Sequence, residues 1–270
     1  MPKAPATPSV AHQRQNRILE LLQARGMCTY VELGRLLGVS SMTVRRDIHQ
    51  LARRDALIKT LGGAKYAQLP QFLYETSLSS RMLVNRAAKE RIAGLALGQI
   101  RAQQTIFLDG SSTCIAFARV LARSRVELTV ITNSALIAME VGASPNAKVI
   151  CVGGDYDPQS ASFVGAFAEE ACGRYYIDTT FLSTKSFLAT EGTYESSTAT
   201  LRIKQIVATR SSRVVLLVDG TKFGQRALCK VLDVGAISLV ITDAQCPKAT
   251  LAALRRAGRE VIVAAPARGK

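Results

Sequence analysis

The sequence predicts an α/β protein in two parts: a small helical N-terminal part that ends in a β-hairpin, and a larger part with a parallel sheet. Three observations support this prediction. Apolar residues recur at helical spacing up to about residue 53, and a Gly-Gly pair follows. From residue 86 onward, short β-branched runs alternate with helical patterns. A length of 270 residues suits two domains of common size.

Composition narrows the class of protein. Hydrophobic residues make up 48% of the chain, which is too many for a disordered protein, and no apolar run is long enough to cross a bilayer. Residues 1–12 lack the apolar centre of a signal peptide, and we interpret them as a disordered tail. Six cysteines without a C-x-x-C pair and only two histidines predict reduced thiols, no metal site and a cytoplasmic location.

The net charge of +15 is unevenly distributed. Residues 1–70 contain 11 Lys and Arg against 4 Asp and Glu and so carry +7, whereas the remaining 200 residues carry +8. This asymmetry predicts a polyanionic partner for the N-terminal part. A basic protein without such a partner would have the same composition, so charge alone does not decide between them.

A helix-turn-helix is predicted between residues 29 and 53. Its first helix begins at Thr29, because Thr29 and Glu32 have the spacing of a capping box, and it ends at Gly38. Ser40 or Ser41 caps the second helix. The residues expected to face inward are Leu33, Leu36 and Leu37 in the first helix and Val44, Ile48 and Leu51 in the second. An earlier helix with Ile18, Leu21 and Leu22 on one face ends at Gly26.

The outer face of the second helix has the residues expected of a DNA-recognition helix. The segments ALIKT, LGGA and KYA then form a hairpin, which would be the wing of a winged helix. The candidates for contact with base edges are Ser41, Met42, Thr43 and Arg45. The candidates for contact with phosphates are Arg46, Arg53, Lys59 and Lys65, and His49 lies on the same outer face. A helical bundle with a solvated basic face is the alternative, but turn spacing, caps and charge together favour DNA binding.

The segment RILELLQARGMCTYVELGRLLGVSSMTVRRDIHQLARRDALIKTLGGA resembles the N-terminal domain of DeoR-type bacterial transcriptional regulators. The specific part of the resemblance is VSSMTVRRDIHQL followed by GGA. The chain has Ala56 where the family usually has Gly, and Leu61 where it usually has His. Leu61 removes a possible DNA or backbone contact and is therefore not among the expected site residues. We interpret residues 13–67 as the winged helix-turn-helix and residues 68–85 as a linker.

Seven β-branched runs predict the strands of the larger domain, residues 86–266. They are TIFLD, LTVIT, KVICVGG, TTFLST, RVVLLVDG, ISLVITD and EVIVA. Helical patterns separate most of them, which indicates a Rossmann-like parallel sheet. Sheets of this kind bind ligands in the crevice at the carboxyl ends of their strands.

Small polar residues follow four of these strands. They are Asp109, Gly110, Ser111, Ser112 and Thr113; Thr132, Asn133 and Ser134; Gly153 and Gly154; and Asp219, Gly220, Thr221 and Lys222. Hydroxyls and free N–H groups at a helix N-terminus favour an anion, although a simple N-cap has the same pattern. Four such loops predict a small anionic, polar ligand. The sequence has no dinucleotide fingerprint, Walker loop or nucleophile elbow, so no cofactor is expected.

The motifs IFLDGSST, LTVITNS, VICVGG, DTTFLST and VDGTKFG resemble, in this order, the effector domain of DeoR-type regulators. The resemblance now covers roughly residues 14 to 245. That domain is similar to ribose-5-phosphate isomerases and CoA transferases, and it typically senses a phosphorylated sugar or related metabolite. The resemblance implies that phosphate or hydroxyl groups are bound by Asp109, Ser111, Ser112 and Thr113. It implies that the same crevice is lined by Asn133, Gly153 and Gly154. Positive charge would come from Lys204 and Lys222. Lys185 would be a ligand contact or a surface lysine, and Glu195 would accept sugar hydroxyls or lie in an exposed turn.

These features predict a DNA-binding transcriptional regulator of carbohydrate-metabolism genes. A repressor that a phosphorylated-sugar effector releases is favoured, and an activator is the alternative. A homo-oligomer, dimer or tetramer, is expected on double-stranded operator DNA, because symmetric sites need a symmetric protein. No membrane partner and no catalytic residue are expected. The alternative is a sugar-phosphate isomerase or transferase in which Asp109, Glu195 and Lys204 act as acid–base groups. A non-specific nucleic-acid binder is a third hypothesis.

Overall fold

The computed structural model describes residues 10–53, 57–66 and 77–266. The chain divides into two compact units, of which the first comprises residues 1–71 and 79–85 and the second residues 72–78 and 86–270. The first nine residues of the predicted tail, residues 54–56 and the predicted linker up to residue 76 lie outside the described residues.

The N-terminal elements are four helices and three strands. They are α1 (Val10–Arg25), β1 (Met27–Thr29), α2 (Tyr30–Leu37), α3 (Ser41–Ala52), β2 (Leu57–Thr60), β3 (Gly63–Tyr66) and α4 (Leu78–Leu83). Helix α1 begins inside the predicted tail, so the expectation of disorder is wrong for residues 10–12. Helix α4 lies in the segment that we interpreted as a linker.

A compact apolar core joins α1, α2 and α3. Ile18, Leu33, Val44, Ile48 and Leu51 are completely buried in it, as their helical spacing predicts. The prediction for Leu36 is wrong, because this side chain is 46% exposed. The covered stripe of the short helix α2 runs through Leu33 and Gly34 to the half-buried Leu37, and Leu36 lies beside it.

The predicted wing is part of a three-stranded antiparallel sheet in the order β1-β3-β2. Strand β1 was not expected, because its three residues are too few to show a period. It pairs with β3 so that Cys28 lies opposite Ala64. A Cβ on Gly63 would lie 2.2 Å from the carbonyl oxygen of Cys28, so this close approach of two backbones requires glycine at position 63.

The second unit is built on a seven-stranded parallel sheet in the order β15-β14-β12-β9-β4-β5-β6. The strands are β4 (Thr105–Leu108), β5 (Leu128–Thr132), β6 (Ala147–Cys151), β9 (Ile177–Leu182), β12 (Ser211–Leu217), β14 (Leu239–Asp243) and β15 (Glu260–Ala264). Each of the seven predicted runs supplies one strand of this sheet. The Rossmann-like fold predicted for this unit is confirmed.

Helices and two small antiparallel sheets surround the parallel sheet. The helices are α5 (Arg86–Leu97), α6 (Ser112–Ala122), α7 (Ala135–Gly142), α8 (Ala166–Gly173), α9 (Thr198–Thr209) and α10 (Lys248–Arg256). The small strands are β7 (Asp155–Asp157) with β8 (Ser162–Val164), and β10 (Ser186–Leu188) with β11 (Gly192–Glu195) and β13 (Cys229–Asp233). The sequence did not predict these strands, because their short segments contain charged, polar or glycine residues among few apolar ones.

Two further observations concern thiols and membranes. Each of the six cysteines is free, and four of them are buried. In the part of the chain that the structure describes, no helix combines the length and the apolar character needed to span a bilayer.

Candidate DNA-binding surface and effector site

The turn between α2 and α3 is fixed by local capping. Thr29 caps α2 in a reciprocal capping box with Glu32, as predicted, and Gly38 ends the helix in the left-handed conformation with φ 64°. Ser40, not Ser41, caps α3 and accepts a hydrogen bond from the Thr43 amide at 3.2 Å. A Cβ on Gly34 would lie 2.8 Å from the carbonyl oxygen of Val39. This glycine therefore allows the turn to fold closely back onto α2.

Helix α3 has one buried and one exposed face. Val44, Ile48 and Leu51 face the core, whereas most of the predicted DNA-contacting residues face solvent. The exposed residues are Ser41, Met42, Arg45, Arg46, His49 and Arg53. Thr43 is half-buried, and its hydroxyl lies 2.9 Å from that of the capping Ser40. Thr43 thus has a structural role in the cap that the sequence analysis did not assign.

A buried carboxylate fixes α3 against α1. Asp47 is 4% exposed, and its Oδ2 lies 2.5 Å from Nε of Arg14. Gln15 donates to Asp47 Oδ1 at 3.2 Å and to Gln50 Oε1 at 2.7 Å. The sequence analysis missed Asp47, although a carboxylate next to the inward-facing Ile48 is a detectable signal. These contacts hold the helix in place without using its outer cations.

Among the described residues, the cations of the predicted DNA surface have no anionic partner. Arg45, Arg46 and Arg53 are exposed, as are Lys59 and Lys65 in the hairpin. Within residues 10–53, 57–66 and 77–266, none of the five forms an ion pair. Their charge remains available to an external polyanion.

The parallel sheet of the second unit has one point at which the strand order reverses. From β4 the chain proceeds outward through β5 to β6, and it then returns to the other side of β4 as β9 and proceeds through β12 and β14 to β15. In sheets of this type, the crevice beyond the carboxyl ends of the two strands at the reversal binds ligands. Asp109 follows β4 and Ser183 follows β9, so both lie at this point.

Three buried charged groups converge at the reversal. Nζ of Lys204, on α9, lies 3.1 Å from Oδ2 of Asp109 and also donates a hydrogen bond to Oε1 of Glu195. The same ammonium donates to the Ser183 carbonyl at 2.8 Å. Asp109 accepts from the amides of Ser111 and Ser183, each at 3.1 Å. We call Asp109, Glu195 and Lys204 the charged triad.

The pKa values of Asp109 and Lys204 reflect mutual stabilisation. Burial by itself raises the pKa of the Asp109 carboxyl, but Lys204 and the hydrogen-bond donors hold it below its ordinary value. Burial by itself lowers the pKa of the Lys204 ammonium, but Glu195 and Asp109 together raise it above its ordinary value. At neutral pH, Asp109 is therefore a carboxylate and Lys204 an ammonium.

Glu195 and Lys185 lie close together, and the structure decides one of the alternatives for Glu195. Glu195 is 6% exposed in strand β11, so an exposed turn is wrong for this residue. Its Oε1 accepts the amide of Lys185 at 3.3 Å, which brings Lys185 beside the triad. The Lys185 side chain is half-buried.

The loops after β4 and β5 meet above the same end of the sheet. A Cβ on Gly110 would lie 2.0 Å from Oγ of Ser162 and 3.5 Å from Cβ of Ser134. Asn133 is 3% exposed, and its Nδ2 donates to the Phe163 carbonyl at 3.0 Å. Its Oδ1 is also buried but accepts no hydrogen bond from the residues that the structure describes. An acceptor in this state favours a ligand that carries hydroxyl donors.

The remaining crevice candidates occupy the start of α6 and the loop after β6. Ser112 and Thr113 are the first two residues of α6, where no helical carbonyl can accept their amides. Thr113 Oγ1 lies 3.4 Å from Ser183 Oγ. Gly153 and Gly154 are exposed, and Gly154 has φ 149° and packs beside Ala168. No described contact joins these two glycines to the triad.

A second charged cluster follows β12. Asp219 is 2% exposed and accepts the Thr221 amide at 3.1 Å, while the Gly220 amide donates to Asp243 at 2.8 Å. Burial by itself raises the pKa of Asp219, but Lys222 and Lys89 hold it below its ordinary value. Lys222 therefore lies near Asp219, one strand beyond β9 in the sheet.

The sequence analysis missed Ser183, Lys89 and Asp243. Ser183 directly follows a predicted strand, so the rule that selected the other loops also applies to it. Lys89 is 4% exposed and shares the buried stripe of α5 with Ile92 and Ala93. A lysine in such a stripe is a detectable sign of a buried charge.

Comparison with known proteins agrees with this architecture. A family model described as "DeoR-like helix-turn-helix domain" matches residues 14–69, and one described as "DeoR C terminal sensor domain" matches residues 84–244. The HTH-type transcriptional regulator GolR of Listeria innocua is 32% identical over 252 residues, which are 93% of this chain and 98% of that protein. The glycerol-3-phosphate regulon repressor of Escherichia coli is 27% identical over 242 residues, which are 90% and 94% of the two chains.

Among solved structures, ribose 5 phosphate isomerase A from Neisseria gonorrhoeae aligns with 51% of this chain and 53% of its own, with a TM-score of 0.38 and 17% identity. The family assignment rests on the sequence matches. The sensor-domain match alone spans more than half of the chain, and the helix-turn-helix match covers the capped α2–α3 pair. The chain belongs to the DeoR family of helix-turn-helix transcriptional regulators.

Proposed function

We propose that this protein represses carbohydrate-metabolism genes by binding operator DNA as a homo-oligomer, and that a phosphorylated-sugar effector releases it. The single observation that supports DNA binding is that the cations on the outer face of α3 are exposed and form no ion pair with the described residues. The repressor sign is supported by the E. coli relative, which is named a regulon repressor. Because a bacterial regulator acts on chromosomal DNA, we also propose a cytoplasmic location.

The crevice of the second unit supports a ligand with both anionic and hydroxyl groups. The amides of Ser112 and Thr113 at the start of α6 suit a phosphate, since helix N-termini favour anions. The buried Oδ1 of Asn133 suits a hydroxyl donor. A phosphorylated sugar has both kinds of group. To release DNA, it must bind the DNA-free protein more tightly than the DNA-bound protein.

The charged triad argues against the isomerase alternative. A general base works best when its pKa is near the operating pH. Asp109 is instead held as a carboxylate of lowered pKa by Lys204 and amide donors, so it is a weak base. We therefore infer that the site binds without turnover. A turnover assay on ribose-5-phosphate and related sugar phosphates tests this point, and robust turnover would favour the enzyme.

A gel shift with the DNA upstream of the protein's own gene tests the regulator. A retarded band is expected with this duplex, and footprinting should show a symmetric protected site. Equal affinity for any duplex would favour a non-specific binder. A thermal-shift screen against sugar phosphates identifies the effector, because a ligand of the native state raises apparent stability. The molar mass of the free protein and of its DNA complex in solution tests whether it is a dimer or a tetramer.

Lys222→Ala should leave DNA binding intact but weaken the response to the compound found in the screen, because it removes positive charge beside the crevice. DNA release is measured as a function of the concentration of that compound. Lys148→Ala, an exposed lysine within β6, is the matched control. A normal response of the Lys222 variant would exclude Lys222 from the site.

A further inference from the structure

The two charged clusters of the second unit follow different strands of the parallel sheet. The charged triad lies where the strand order reverses between β4 and β9, whereas Asp219 and Lys222 follow β12, the next strand along the sheet. Within the described residues, no ion pair connects Lys222 to the triad. A ligand that contacts both clusters therefore requires some other contact that fixes one cluster relative to the other.

The segment that follows Lys222 packs along the β10–β11 hairpin. Phe223 is 8% exposed, and the centroid of its ring lies 5.7 Å from that of Phe187 in β10. The Gly224 amide donates a hydrogen bond to the Phe187 carbonyl at 3.1 Å. The chain after Lys222 therefore lies beside the hairpin whose second strand, β11, ends in Glu195.

An ion pair joins the same segment to the turn of this hairpin. Nε of Arg226 donates to Oε2 of Glu191 at 2.8 Å, and Nη2 of the same guanidinium donates to Oε1. The hydroxyl of Tyr194 also donates to Oε2 of Glu191. Tyr194 is 6% exposed and immediately precedes Glu195 in β11, so this network reaches the strand of the triad. We call Glu191, Tyr194 and Arg226 the clasp.

The clasp fixes a position more than it stabilises the fold. Arg226 is 66% exposed, and an exposed ion pair contributes little to folding, because solvent and salt screen it. A guanidinium that meets both oxygens of one carboxylate nevertheless selects one geometry, which a lysine cannot reproduce. Hydrogen bonds from Arg226 and Tyr194 also lower the pKa of the Glu191 carboxyl to about 2, so it is charged at neutral pH.

The sequence separation of this pair distinguishes it from a local surface pair. Arg174 and Glu170 are four residues apart at the end of α8 and therefore join nothing beyond one helix. Arg226 and Glu191 are 35 residues apart and connect two segments, one with Lys222 and the other with Glu195.

We propose that Glu191 and Arg226 are positioning residues of the effector site. Their ion pair holds the Lys222 segment against the strand of Glu195, so that one phosphorylated sugar contacts both charged clusters at once. Neither residue touches the ligand itself. This inference rests on the proposed sensing of a phosphorylated sugar by the second unit.

Amide hydrogen exchange in the free protein tests the clasp without a ligand. Arg226→Lys keeps the charge but loses the contact through two nitrogens, and Glu191→Gln keeps the shape but loses the charge. Each should accelerate exchange of the Gly224 amide by about fivefold, the upper end for loss of an exposed pair. The midpoint of global unfolding should stay within about 2 °C of the wild type. Glu170→Gln and Arg174→Lys are the matched controls and should leave this exchange unchanged.

Thermal-shift titrations test the effect on the effector site. The probes are ribose 5-phosphate, glucose 6-phosphate and glycerol 3-phosphate, and the measured quantity is the concentration that gives half of the maximal stabilisation. Arg226→Lys and Glu191→Gln should each raise this concentration by about fivefold, while affinity for DNA without a probe stays unchanged. The charge exchange Glu191→Arg with Arg226→Glu should recover part of the loss, which a merely structural role of either side chain would not give.

The outcomes separate this inference from the proposed function. Wild-type exchange or wild-type response in both single variants, equal losses in the α8 controls, or a charge exchange that recovers nothing would each overturn the inference and leave the proposed function standing. A wild-type protein that none of the three probes stabilises overturns the proposed effector class, and this inference with it.

Discussion

Arg45 and Arg46 on α3 and Lys204 on α9 are all cations on helices, but their surroundings are opposite. The two arginines are exposed and have no anionic partner among the described residues. Lys204 is 8% exposed and lies between the carboxylates of Asp109 and Glu195. In the first unit the charge remains available to a partner, whereas in the second it is used to organise the loops around a crevice.

The comparison shows that a positive charge contributes to folding only when it is buried beside carboxylates. An exposed cation contributes little to folding, because solvent and salt screen it. A buried cation between carboxylates contributes strongly, since its loss leaves uncompensated charge in a medium of low polarity. Substitution of an exposed cation should therefore weaken DNA binding and leave stability unchanged, whereas substitution of the buried cation should lower stability.

The largest expected effect is that of Lys204→Met. The substitution leaves Asp109 and Glu195 buried without their cation, which should lower the free energy of unfolding by about 3–5 kcal/mol. Chemical denaturation followed by circular dichroism measures the loss. The triple variant with Asp109→Asn and Glu195→Gln removes the unpaired charges and should recover part of it. If Lys204→Met alone is as stable as the wild type, the triad does not organise the unit.

Arg45→Ala should show the opposite behaviour. Its stability should stay within about 0.5 kcal/mol of the wild type, because the side chain is exposed and forms no ion pair with the described residues. Its free energy of operator binding should weaken by about 1–3 kcal/mol, because one base contact is lost. Its preference for the base at that position should also decrease. Affinities for operators changed one base pair at a time measure both effects. Unchanged affinity and footprint would remove Arg45 from the base contacts.

Acid should affect the second unit through the lowered pKa values of Asp109 and Asp219. The stability that these carboxylates contribute is fully present above the pKa of an unfolded aspartate, about 3.9. It is lost as pH falls through their lower folded-state values. Denaturation at a series of pH values between neutrality and strong acid measures the change. Asp109→Asn should lose less stability than the wild type as pH falls. An equal loss in both proteins would contradict the lowered pKa of Asp109.

The smallest expected effect is that of Lys59→Gln. If Lys59 meets a phosphate, its loss should weaken binding uniformly across sequences and reduce the slope of log affinity against log salt by about 1. Titrations at several salt concentrations measure this slope. Glu20→Gln, which removes an exposed acid on α1 that pairs with Arg17, is the control. A slope that Lys59→Gln leaves unchanged would exclude the phosphate contact.

Most of the fold could be predicted from residues that are close together in the sequence. Thr29 and Glu32, Gly38 and Ser40 are close in sequence, and their roles depend only on the backbone nearby, so the ends of α2 and α3 could be predicted. The parallel strands were predictable because each has a continuous apolar run. Leu36 shows the limit, since the stripe of a short helix that becomes buried depends on what packs against it.

The candidate site was less predictable, because its contacts join distant parts of the chain. Asp109, Glu195 and Lys204 could be assigned to one crevice, but nothing in the sequence indicates that Lys204 pairs with both carboxylates. Asp47 and Arg14 are 33 residues apart, and their pairing depends on how α1 packs against α3. Such partners become visible only after the helices and strands have been placed in space.

The salt bridge between Arg14 and Asp47 makes the first helix part of the DNA-binding apparatus, although none of its residues is proposed to touch DNA. A shortened polypeptide that begins at Met27, for instance through internal translation initiation or proteolysis, would retain the whole helix-turn-helix and both strands of the hairpin. It would nevertheless lack both the guanidinium and the Gln15 amide that satisfy Asp47. Such a fragment would hold α3 poorly and compete weakly, if at all, with the intact regulator for its sites.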